Sequence, residues 1–257
     1  MTTLLLELAA PQQSWGSRSR FASRATELAP TKSGVIGLIA AALGMERSDP
    51  LDRFVGLRFG VRIDQPGRVE RDFQTARSFD GSTSFPLSHR YYLADAVFVA
   101  ALDGPSEELN AYATAIRRPQ YPLYLGRRAF PPSGPIHTVL VEEPLEAALQ
   151  THPWRARART RNRTHGTRVE VEVVRDAKQN EAPDHSRDDV PVSFDPRRRE
   201  YSARDVVVET IEIDHPDPPA QSAPESHSEP PVRRHGDQLL GEPTDHDPEI
   251  LLADEEV

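Results

Sequence analysis

A chain of 257 residues, 37% hydrophobic and 28% charged, has room for one large domain or two small ones. It contains no cysteine, which excludes disulfides, thiolate zinc sites and a cysteine nucleophile, and no apolar run near the ~18 residues a membrane span needs. The net charge of -9 is unevenly spread: residues 214–257 hold 12 acids and 2 arginines, leaving residues 1–213 with 28 acids against 29 bases.

The chain opens on an apolar stretch, Thr3 to Ala9, that reads as a buried first strand. It lacks a basic flank, and Glu7 interrupts it, so a signal peptide is not expected and a cytoplasmic protein is. Pro11-Gln12-Gln13-Ser14-Trp15-Gly16 forms a loop. Trp15 with Arg18, Arg20 and Arg24 around Phe21 interleaves bases with aromatics, as a single-strand-binding segment does, although a tryptophan is equally at home in a core. The spacing of Val35, Ile36, Ile39, Ala40 and Leu43 predicts a helix from about Ser33, capped by Thr31 or Ser33 and stopped at Gly44. Its start, Thr31-Lys32-Ser33-Gly34, offers backbone N–H groups, a positive dipole end and a cation, a combination suited to phosphate. The nucleotide-hydrolysing P-loop pattern is absent. The alternative for the glycines is close packing.

A short helical turn over 50–55 precedes a second strand at Phe59, Val61 and Ile63. Residues 66–93 are polar, with turn signals at Pro66-Gly67 and Asp80-Gly81, and form a long hairpin excursion. Ala96–Leu102 is a strand. Ser106 opens a helix that ends before Pro119. Tyr121-Pro122-Leu123-Tyr124-Leu125-Gly126-Arg127-Arg128 is a glycine turn whose tyrosines and arginines suit base stacking and phosphate contact, or else an ordinary solvated loop. A strand near 136–142 completes the order strand, helix, strand, hairpin, strand, helix, strand. That order is an α+β, ferredoxin-like or RRM-like βαββαβ domain over residues 1–145. Residues 146–213, with strands at Val169–Val174 and Val206–Ile213, form a smaller β-rich part or a continuation of the sheet. The run Arg155, Arg157, Arg159, Arg161, Arg163 alternates as one face of a strand would, or is a solvated loop. From residue 214 the chain is Pro-rich and acidic, the composition of a disordered tail, with one apolar patch at Glu249-Ile250-Leu251-Leu252. The tail's acids suit it to shielding the arginines.

No histidine spacing supports a metal site, no G-x-S-x-G elbow occurs, and no cofactor or metal is expected. His89, beside Arg90 and Tyr91-Tyr92, is the one group placed for metal-free general acid–base cleavage of RNA.

The segments Leu8–Gly16, Pro30–Leu38 and Tyr121–Arg128 together resemble the CasD family, small subunits of the type I-E CRISPR effector complex, Cascade. The resemblance implies an RRM-like domain with a long β-hairpin thumb. It further implies a non-catalytic subunit that caps the 5′ handle of the guide RNA in antiviral defence, contacts the large subunit and an adjacent backbone subunit, and meets target DNA only indirectly. Carried onto this chain, Lys32, Ser33 and Gly34 face the handle, and Tyr124, Gly126, Arg127 and Arg128 grip it. Arg77, His89 and Arg90 of the hairpin face RNA; Trp15, Arg18 and Arg24 are candidates from the composition of their own loop. The rival is a metal-independent endoribonuclease that processes precursor RNA.

Overall fold

The computed structural model describes residues 1–16 and 23–218. In chain order the elements are β1 (Thr2–Ala9), β2 (Gln12–Gln13), β3 (Ser23–Arg24), α1 (Lys32–Leu43), β4 (Arg58–Gln65), β5 (Arg68–Gln74), β6 (Ser88–Ala94), β7 (Val97–Gly104), α2 (Ser106–Arg117), β8 (Thr138–Val141), α3 (Leu145–Thr151), α4 (Ala158–Arg161), β9 (Arg168–Asp176), β10 (His185–Ser193) and β11 (Glu200–Asp214). The predicted helices and long strands are present within a few residues of their expected bounds. The short β2 and β3, the edge strand β10 and the helix α3 carry no strong sequence signal.

One seven-stranded sheet runs in the order β10-β11-β9-β4-β7-β1-β8. The four strands at one end, β4-β7-β1-β8, have the ferredoxin-like order, with β7 antiparallel to both β1 and β4. This is the α+β arrangement expected. Beyond that core, β9 pairs with β4 and β11 with β9, so the later strands continue the sheet.

Both faces of the sheet are covered, each for a legible reason. Leu4, Leu6, Leu8, Phe59, Val61, Phe98, Ala100 and Leu102 share one strand parity and pack against Val35, Ile36 and Ile39 of α1 and Leu109, Tyr112 and Ile116 of α2. The opposite parity, Leu5, Val99, Ala101 and Val173, is closed by Leu145, Ala148 and Leu149 of α3. Arg62 has this second parity and so faces the α3 side, where its charged side chain is fully buried. It pairs with Asp64 at 2.6 Å, and donates to the carbonyls of Leu149, of His152 at 2.6 Å and of Pro153 at 2.9 Å. These are orphan acceptors at the end of α3, so a buried guanidinium serves as that helix's cap.

Between β4 and β7 the chain leaves the sheet as the hairpin β5–β6, in register from Arg68↔Ala94 to Gln74↔Ser88. Every residue of β5 is exposed. β6 is the centre of a small second sheet, pairing also with β2 and, in parallel, with β3.

Candidate nucleic-acid interface

Two of the sequence motifs meet through a backbone that only glycine permits. Gly126 has φ +92, and a Cβ placed there would lie 1.6 Å from the carbonyl oxygen of Ser14. The Ser14 N–H in turn donates to the carbonyl of Leu125 at 3.1 Å. The loop 124–130 is therefore seated on the loop 11–16, with no space for a side chain between them. The turn closes with hydrogen bonds from Leu125 N to Phe130 O (2.8 Å) and from Phe130 N to Arg127 O (2.8 Å).

This seating brings Arg127 to the root of the hairpin. Its Nη2 donates to the carbonyl of Tyr91 on β6 at 2.8 Å and to that of Arg24 on β3 at 3.1 Å. Its Cζ lies 5.7 Å from the centre of the Phe130 ring, which packs against Tyr92. Arg24 and Arg90 are paired positions of β3 and β6, so Arg24, Arg90 and Arg127 cluster. Burial, then the charges of Arg90 and Arg24, push the Arg127 pKa below its ordinary value, and only Asp72 opposes them. Arg58, Arg175 and Arg204 move the opposite way, because carboxylates surround them. Arg127 stays protonated, and Asp72, opposite Arg90 in the hairpin register, is the carboxylate set against the three guanidiniums among the described residues. Arg90 Nε is buried without a hydrogen-bond partner; His89 Nδ1 is too, one residue earlier on β6 and so of the opposite strand parity. A buried guanidinium donor without a partner in a positive cluster is what an anionic ligand satisfies.

Other expected contacts fall elsewhere. Trp15 is 1% exposed; its Nε1 donates to Gln13 Oε1 at 3.2 Å, and its ring lies where a Cβ on Gly34 would stand, at 2.8 Å. It is a core residue and cannot stack a base, and Gly34 is small in order to admit it. Lys32 and Ser33 are buried as well, so the expected phosphate site at the start of α1 is corrected. Lys32 N donates to Asp189 Oδ2 at 2.9 Å, and its Nζ donates to Leu57 O at 2.6 Å and Asp176 Oδ2 at 3.1 Å. Arg204 completes the group, holding Asp189 at 2.5 Å and Asp176 at 2.6 Å. A protein carboxylate thus takes the place on the helix dipole that a phosphate would have. Asp189 lies in the bulged strand β10, out of reach of local spacing.

Arg24 and Arg128 are exposed, and Tyr124 is half-buried beside them. Arg77 is also exposed, far along the hairpin, where it bridges Ser84. Arg18, Arg20 and Phe21 lie outside the described residues, as does the apolar patch at 249–252. The arginine run after α3 is not a strand: Arg155, Arg157 and Arg161 pair with Glu7, Asp95 and Asp217. Among the described residues no group of histidines and carboxylates is placed to hold a metal ion, and no helix is long and apolar enough to cross a membrane.

Residues 3–207 match the family model described as CRISPR-associated protein (Cas_Cas5). The chain is 32% identical over 172 residues to the CRISPR system Cascade subunit CasD of Escherichia coli (strain K12), covering 58% of this chain and 77% of that one. It is similar to a chain of a solved CRISPR RNA-guided surveillance complex, with TM-score 0.67 and 35% identity over 82% of this chain and 91% of the other. A crystal structure of a Cas protein matches with TM-score 0.62 and 34% identity, over 84% and 97% of the two chains.

Proposed function

Because the chain belongs to the CRISPR-associated Cas5 family, we propose that it is a non-catalytic RNA-holding subunit of an RNA-guided surveillance complex, capping the 5′ handle of the guide RNA. The observation that carries this reading is the cluster of Arg24, Arg90 and Arg127 at the hairpin root, three guanidiniums against Asp72, with Arg90 Nε unpartnered. Guanidiniums fixed by backbone carbonyls and set beside half-buried tyrosines suit a bent single strand, gripped by its phosphates while its bases splay onto aromatic rings. The large subunit and a neighbouring backbone subunit are the protein partners this reading requires, and pairing by the guide does the reading of target DNA.

The test is co-expression of the tagged chain with its genomic neighbours and a repeat array, followed by sequencing and crosslinking of the bound RNA. Uniform guide RNAs, with crosslinks from this chain confined to the 5′ end, are the expected result. Arg24→Ala with Arg127→Ala should cut the RNA recovered by roughly 10- to 100-fold, the scale of one or two lost charged hydrogen bonds. Random cellular RNA, or undiminished recovery in the variant, would refute the handle-capping role.

The unpartnered Nδ1 of His89 is the one observation on the side of an endoribonuclease. Cleavage of repeat RNA in a chelator by the purified chain, lost in His89→Ala, would replace the holding role with a processing one.

A further inference from the structure

The segment from Arg155 to Arg168 holds six arginines and one histidine and no acid. It lies on the α3 side of the sheet, where Trp154 and Ala156 pack against Val171 and Ile213. Four of its arginines are taken up by the fold itself. Arg155 pairs with Glu7 at 2.6 Å, Arg157 with Asp95 at 2.7 Å, Arg161 with Asp217 at 3.6 Å and Arg168 with Glu212 at 3.4 Å. The remaining two, Arg159 and Arg163, are exposed and have no ion-pair partner among the described residues. Nearby carboxylates are thus committed to other arginines, and these two charges stay open.

Their placement is fixed. α4 continues past its last residue through hydrogen bonds from Asn162 N to Ala158 O (2.8 Å) and from Thr164 N to Thr160 O (3.1 Å). Arg159 and Arg163 therefore stand one helical turn apart on one face. The turn is tied to the root of the hairpin: Gln65 Oε1 accepts from Arg157 N at 3.1 Å and from Thr160 Oγ1 at 2.7 Å. Arg157 reaches Asp95, in the turn that joins β6 to β7, and its Nη2 is buried with no hydrogen-bond partner.

We infer that Arg159 and Arg163, supported by Arg157, form a second nucleic-acid contact, distinct from the Arg24–Arg90–Arg127 cluster, that binds backbone phosphates without reading sequence. Two arginines at one-turn spacing on a helical turn, with neither an ion pair to a carboxylate nor a stacked aromatic ring among the described residues, match a run of phosphates better than bases. The inference rests on the function proposed above only in requiring nucleic acid in the complex. The phosphates belong either to the guide RNA or to the DNA that it pairs with, and the experiment separates the two.

The complex co-purified with its neighbours is compared with one carrying Arg159→Glu and Arg163→Glu. Guide RNA loaded by the parent complex tests the earlier reading; the difference between parent and variant tests this one. Both side chains are exposed, so the melting temperature should not move. The slope of log affinity against log salt should fall by about 1.5, two contacts at about 0.7 to 0.9 each, and Arg159→Lys with Arg163→Lys should restore most of it. Guide RNA washed off at lower salt would assign the phosphates to RNA. Unchanged RNA retention with weaker binding of a target duplex would assign them to DNA. The absence of both changes would overturn the inference. So would a variant that melts like the parent but fails to join the complex, because the surface would then belong to a protein partner.

Discussion

At the scale of single residues, the interface depends on one backbone conformation and the interior on one carboxylate. Gly126 is held at φ +92 with the Ser14 carbonyl where a Cβ would go. Gly126→Ala therefore strains the backbone and pushes the two loops apart, at a cost of at least ~1–3 kcal/mol. A lower melting temperature together with loss of bound RNA is expected, whereas Gly134→Ala, with open space around it, should change neither. Asp189 is fully buried between Lys32 and Arg204. Asp189→Ala leaves Arg204 short of a partner in the interior, a loss on the order of 3–5 kcal/mol, and should show as a drop in the denaturation midpoint. Neither role follows from residue type. A lysine at a helix start signals phosphate on local grounds, but the carboxylates that take its backbone N–H and its ammonium are 157 and 144 residues away.

At the scale of elements, the hairpin is the part that the fold needs least. β5 is exposed throughout, and Phe73, Phe79, Phe85 and Leu87 present large apolar surfaces to solvent. Such a row is characteristic of a surface that is covered in an assembly. Gln74 and Ser88 face each other in register, so residues 75–87 can be replaced by Asn-Gly, a two-residue turn that suits this twist. The shortened chain should unfold within about 0.5 kcal/mol of the parent, yet assemble poorly with its partners on a sizing column. The hairpin and the ferredoxin-like core were legible because strand alternation, helix spacing and turn residues are local signals. β10 and α3 were not. β10 has polar residues along a bulged edge, and α3 is a seven-residue helix too short for its periodicity to stand out. The three-arginine cluster was legible only as separate motifs, since the pairing of β3 with β6 and the seating of Gly126 on Ser14 are contacts distant in sequence. The arginine run after α3 misled by its alternation, because its spacing of two is broken by a helical turn.

At the scale of the whole molecule, acid should loosen the fold before it titrates the interface. Burial raises the pKa of Glu7, but hydrogen bonds from His152 and Arg155 outweigh it and hold the carboxyl at about 2, against an ordinary 4.5. Burial also opposes the hydrogen bond from Arg58 at Glu146, which likewise ends at about 2. A carboxyl depressed in the folded state adds stability that is complete above its unfolded pKa and is lost as pH falls toward its folded one. Stability should therefore be flat from neutral pH to about 5 and decline from about 4.5 toward 2. In denaturant titrations across that range, Glu7→Gln should be less stable than the parent at pH 7 and should decline less steeply in acid. An equally steep decline in the variant would remove Glu7 from the account. Over the same range the arginines stay charged, so any loss of RNA tracks unfolding.

The pairing of β9 with β4 has a consequence for how the chain comes into being. Arg62 has Asp64 beside it but finds its carbonyl acceptors only from Leu149 onward, and Lys32 finds its carboxylates at Asp176 and Asp189. While the ribosome is still making the first 145 residues, both cations lack partners that their burial requires, and the outer edge of β4 has no neighbour. The nascent chain must wait for its last strands before the sheet closes, which makes folding slow and non-local. During that wait, open strand edges invite aggregation. Guide RNA or a partner subunit that engages the chain during synthesis would then act on its yield as well as its activity.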